Sequence, residues 1–149
     1  ATCCRHAYAC EKRDTLASAL QLDELTARME ILDMDIYHIW ANLKPGVSDV
    51  EFCEATGKYL GKLKEAGKLE SWRITRRKLG LGDPLLPEFH IMIEFKSLDQ
   101  LDKAFAAAAA RSEPIESFHF AVNTKVTNVK FALYRDFPDA VRKTGSERF

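Results

Sequence analysis

Two helix-opening signals, each set directly behind an alternating apolar strand, constrain this chain more than any other feature. Ser48 followed by Glu51, and Ser97 followed by Gln100, are capping boxes. In such a box the hydroxyl meets the amide three residues on, and the later side chain reaches back to the cap. Ahead of the first box, residues 35–43 are rich in β-branched and aromatic types and read as a strand, broken by Pro45 and Gly46. Ahead of the second, residues 88–95 alternate Phe89, Ile91, Ile93 and Phe95 with His90, Met92 and Glu94. The helices are expected over 48–66, stopped by Gly67, and over 97–110. The first helix should bury Val50, Cys53, Leu60 and Leu63. Between them lie a strand at 69–79 and a turn-rich loop, Gly80 to Pro87, that exposes Leu85 and Leu86. An irregular stretch with Pro114 and His119 leads to a last strand at 128–135.

The order β-α-β-β-α-β specifies an α+β, ferredoxin-like fold. Two right-handed crossovers place the first and third strands in the centre of an antiparallel sheet, order 4-1-3-2, with both helices on one face. Alternation then sorts the side chains. Tyr37, Ile39, Ala41, Leu43, Phe89, Ile91, Ile93, Phe95, Val129, Phe131 and Leu133 face the helices. Ile36, His38, Trp40, Asn42, His90, Met92, Glu94, Lys130 and Tyr134 face the other way. That second face is too apolar to stay bare and too polar for ordinary core, so a second sheet is expected to cover it and leave a pocket of mixed polarity. The ligand pocket is accordingly placed at His38, Trp40, Asn42, Arg73, His90, Met92 and Tyr134. Gly57 and Gly61 lie on adjoining turns of the first helix and point to close approach by the sheet or another subunit. With Trp40, Leu85 and Leu86 they make the expected interface.

Composition narrows the partners. The 22 basic and 22 acidic side chains balance, which removes the usual electrostatic case for nucleic acid. No apolar run reaches the roughly 20 residues of a membrane-spanning helix. Cys3, Cys4 and Cys10, with His6 between them, offer zinc-ligand types without a paired Cys-x-x-Cys, and read as a loose terminus, with no metal assigned. The chain starts at Ala1, consistent with trimming or with a removed presequence, and hence with a cytoplasmic or organellar compartment. Residues 1–33 read as an extension with one helix starting after Asp14, 34–139 as the main domain, and 140–149 as a charged tail.

Leu43, Lys44, Pro45, Gly46 and Val47 behind an aromatic strand, and Phe95, Lys96, Ser97 and Leu98 behind the third strand, resemble the stress-responsive dimeric α/β-barrel proteins. The resemblance spans about 36–135. It implies a homodimer whose two sheets close into a barrel, among relatives that include polyketide cyclases and ligand binders. The cyclase-like relatives carry a tyrosine in the second helix, then a His-Pro-x-His segment. Ala104 and Ala107 stand at those positions here, and Tyr37 stands where the first strand would carry a histidine.

Other activities fit less well. His38, His90 and Glu94 are the acid–base candidates and a two-histidine, one-carboxylate set, but no nucleophile accompanies them. The hydrogen-bonded alternative has Asn42, Tyr134 or Arg73 serving the histidines. RNA-recognition domains share the strand order, yet Ile39 replaces their stacking aromatic and His90 and Met92 face outward. Gly80 and Gly82 join two strands instead of opening a helix, so no dinucleotide cofactor is expected. The expectation is a noncatalytic dimeric module, an accessory subunit of a larger, organellar assembly. The alternative is a small-ligand-binding or cyclase-like barrel using His38 and His90.

Overall fold

The structure, a computed structural model, describes residues 34–137 and residue 145. The expected N-terminal helix, the Cys3/Cys4/His6/Cys10 group and most of the tail lie outside the described residues. Residues Met34–Asp136 form one compact unit. Its elements are β1 (Asp35–Leu43), α1 (Asp49–Glu65), β2 (Ser71–Arg76), β3 (Phe89–Phe95), α2 (Leu98–Ala109), α3 (Ile115–Asn123) and β4 (Val126–Arg135). All pairings are antiparallel and the sheet order is β2-β3-β1-β4, the expected ferredoxin-like arrangement.

Both caps form on their local half. Ser48 and Ser97 each accept from the backbone amide three residues on, at 3.3 Å. The reciprocal half goes elsewhere. Glu51 pairs with Lys125, which precedes β4. The buried Gln100 accepts from Lys96 N at 2.9 Å and donates to Gly67 O at 3.0 Å and to Glu70 Oε1 at 2.8 Å. That one amide ties the start of α2 to the end of α1 and the approach to β2.

The core gathers Phe52, Leu60 and Leu63 of α1 against Phe89, Ile91, Ile93 and Phe95 of β3. Phe52 meets Phe89 edge to face at 5.2 Å. β3 alternates buried and half-buried along its whole length, as a central strand covered on one face should.

Four expectations are corrected. Residues 115–123, expected to be irregular, form a third helix, because Ile115, Phe118 and Val122 recur at helical spacing. Val50 is 62% exposed, since it sits in the first turn, where Phe52, not Val50, faces the sheet. β2 is shorter than 69–79, because Leu79 and Gly80 take positive φ and turn the chain. Val129, Phe131 and Leu133 face the helix layer, yet Phe131 is 60% exposed, because β4 is an edge strand that the helices only partly overhang. A bulge between Trp40 and Asn42 in the β1–β4 register puts one extra residue into β4, with Asn128 at φ +50°. Asn tolerates that conformation better than most residues. The extra residue turns Val126 as well as Val129 toward the helices.

Candidate functional site

Because the helices lean over β3 and away from β4, a cavity of about 740 Å³ opens between sheet and helices. Its floor is Tyr37 and Ile39 of β1 with Phe131 of β4. Its roof is the alanine run of α2, where Ala104, Ala108 and Ala109 project too little to reach the sheet. The rings are ordered: Tyr37 stacks on Phe131 at 5.8 Å and meets Phe105 edge-on at 5.2 Å. Polar groups gather at the α1–α3 end, where Tyr59, Glu116, His119 and Asn123 line the space. The Tyr59 and His119 rings lie 5.3 Å apart. The Asn123 amide nitrogen, 3.0 Å from His119 Nε2, donates to it, which leaves the ring proton on Nδ1. Burial pushes the Tyr37 hydroxyl above its ordinary range. Burial, then the Glu116 charge, does the same for Tyr59. Both tyrosines are therefore hydrogen-bond donors at neutral pH.

The residues expected to form the ligand pocket, His38, Trp40, Asn42, Arg73, His90, Met92 and Tyr134, and Glu94 beside them, stand on the opposite, open face, and none of them lines this cavity. Trp40 lies opposite His90 and His38 opposite Met92, which sets the two histidines on a diagonal. His38 Nδ1 and His90 Nε2 are 2.8 Å apart. Trp40 stacks on His90 at 4.5 Å, and Tyr134 meets His38 edge-on at 4.8 Å. Burial lowers the pKa of both imidazoles, with the His38 and Arg73 charges adding to the effect at His90. Arg73 lies opposite Met92 on β2.

Other members of the expected set are engaged elsewhere. Glu94 accepts from the Ser71 hydroxyl, and Asn42 accepts from Glu88 N at 2.8 Å. Among the described residues, no group of three or more His, Cys, Asp and Glu side chains is placed to hold a metal ion. A Cβ at Gly61 would lie 3.9 Å from the Trp72 ring, whereas one at Gly57 would meet nothing within 4 Å. Leu85 and Leu86 are exposed on the β2–β3 loop, whose Leu85 carbonyl accepts from Lys130 of β4. The loop thereby runs along one end of the open face.

Sequence reasoning passed over the cavity's polar end, Tyr59, Glu116, His119 and Asn123. The Ile115, Phe118 and Val122 spacing was the signal that could have placed Glu116, His119 and Asn123 on a helix facing Tyr59 of α1.

A ferredoxin-like α+β domain with a cavity under its helices is the class that this fold and site define. Within it, the chain belongs to a family of unknown function, DUF6614, whose model matches residues 34–149. No curated protein matches the sequence. Solved structures share the fold. A mutant of SnoaB from Streptomyces nogalater, described as a cofactor-independent oxygenase, is 10% identical over 74% of this chain and 99% of its own, with a TM-score of 0.55. A hydroxynitrile lyase from Passiflora edulis is 12% identical over 72% and 97%, with a TM-score of 0.52. A ferredoxin-like protein of unknown function from Jannaschia sp., described as dimeric, is 13% identical over 68% and 97%, also at 0.52. Among the described residues no helix is long and apolar enough to cross a membrane.

Proposed function

We propose that this chain is a homodimeric α/β-barrel protein, of the stress-responsive kind it resembles, that binds a compact and mostly apolar organic molecule. The observation that carries the reading is the cavity of about 740 Å³ between sheet and helices. Ligand pockets fall at about 300–1,000 Å³ and combine apolar walls with a few converging polar groups. Tyr37, Phe105 and Phe131 offer ring faces and edges to an apolar body, while the Tyr59 hydroxyl and His119 offer hydrogen bonds at one end. The open face, with Ile36, His38, Trp40, His90, Met92 and Tyr134, is the surface for a second copy. Support comes from its half-buried rings and from the dimeric description of the Jannaschia protein.

The probe is 1-anilinonaphthalene-8-sulfonate, titrated into the full chain. Saturable fluorescence at about one dye per chain is expected. Ala108→Trp, which fills the cavity from the roof, should abolish it while the far-UV circular dichroism stays unchanged. Equal dye binding by a folded Ala108→Trp variant would remove the cavity from the function.

One observation favours the second reading, an interaction module of a larger assembly. Leu79 is 90% exposed and Leu81 74% exposed on the β2–β3 loop, an apolar projection without a use in ligand binding. If recognition there is the function, Leu79→Ser with Leu81→Ser will abolish complex formation in cell extract and leave dye binding intact.

A further inference from the structure

The two histidines of the open face are joined by a contact that has room for one hydrogen. His38 Nδ1 and His90 Nε2 lie 2.8 Å apart, so one nitrogen donates and the other accepts. Neutral imidazoles satisfy this, and so does a pair holding a single extra proton. A doubly protonated pair does not, because two N–H groups then face each other without an acceptor. The surroundings supply no counter-charge for a doubly protonated pair. Trp40 covers one ring and Tyr134 abuts the other. The charged groups of the face are Arg73 from β2, Lys130 from β4 and Glu94 from β3. Glu94 is occupied by the Ser71 hydroxyl, and Lys130 is directed to the Leu85 carbonyl. Tyr134 is the other titratable group on that face. No carboxylate of the described residues forms an ion pair with either imidazole, so added charge there stands beside two cations without a counter-ion.

We propose that the His38–His90 pair is a proton-operated latch on the homodimer, closed while the pair is neutral and opened as it takes up protons. The proposal rests on the homodimer reading above. A second sheet laid over this face removes the water that would solvate an imidazolium, whereas separation restores it. The sign follows. Burial within its own protomer already holds each histidine below its ordinary value, and a second sheet, by removing more water, lowers it further. Association is therefore fully favoured at neutral pH and weakens as pH falls through the separated protomer's values, which lie below 6.5. With at least one proton taken up per protomer, the dimer Kd should rise about 100-fold per pH unit below the separated protomer's values, flattening once the still lower values of the covered pair are passed.

Sedimentation equilibrium of the full chain between pH 8 and pH 5, with far-UV circular dichroism at each pH, tests it. The expected result is a dimer at pH 8 that becomes a folded monomer in mild acid. His90→Gln and, separately, His38→Gln, which keep a hydrogen bond and lose the charge, should dimerise with a much flatter pH profile. A wild-type dimer unchanged down to pH 5 overturns the latch and leaves the homodimer standing. So does an unaltered profile in both variants, and so does dissociation that coincides with unfolding. A monomer at pH 8 overturns the homodimer reading and the latch with it.

Discussion

β3 and β4 carry nearly the same alternation of large apolar and polar residues, yet they end in different environments. In β3 the helix-facing set, Phe89, Ile91, Ile93 and Phe95, is buried throughout. In β4 the corresponding Phe131 and Leu133 are about half exposed, and Phe131 lies beside a cavity instead of beneath a helix. Period two states which face a side chain points to. It does not state whether that face is covered, which depends on where the strand lies in the sheet and how far the helices reach.

Three substitutions bear on this contrast, and the largest effect belongs to the packed side. Phe52→Ala removes a fully buried ring that meets Phe89, and should cost about 3–5 kcal/mol in urea denaturation. A loss no larger than that of a β4 substitution would erase the distinction. Trp40→Glu sets a carboxylate on the open face in place of a stacked ring. It should cost about 1–3 kcal/mol at neutral pH and convert the proposed dimer to monomer in sedimentation. Unchanged mass and stability would mean that the open face stays uncovered. Phe131→Ala should cost about 1 kcal/mol or less, since the ring already faces water. A loss comparable to that of Phe52→Ala would show that something covers β4 after all.

What sequence revealed was local. The strand order follows from short-range signals, and Ser48 and Ser97 cap as expected because each partner amide is three residues away. The other halves of those boxes were claimed by tertiary partners, Lys125 for Glu51 and the Gly67–Glu70 turn for Gln100, which no local pattern encodes. α3 was readable from its spacing but is short and follows Pro114, and turn chemistry masked it. On the open face, alternation placed His38, Trp40, His90 and Tyr134 together, whereas the contact between the two imidazoles depends on a diagonal register that alternation leaves free. The cavity was the least legible part. It is made by side chains that are too small, and a deficit of volume has no motif.

Ala104 and Ala107 entered the sequence reading as absent catalytic groups, and Ala104 now forms part of a roof with Ala108 and Ala109. In evolutionary terms that roof separates two pressures that usually collide. Alanine is the best helix former, and leucine or methionine costs a helix almost nothing in its place. Descendants can therefore lengthen one side chain at a time on the inner face of α2 and reshape the cavity. The helix forms as before, and its Gln100 anchor holds as before. Under the ligand-binding function proposed above, selectivity in such a lineage can drift quickly while the fold stays fixed.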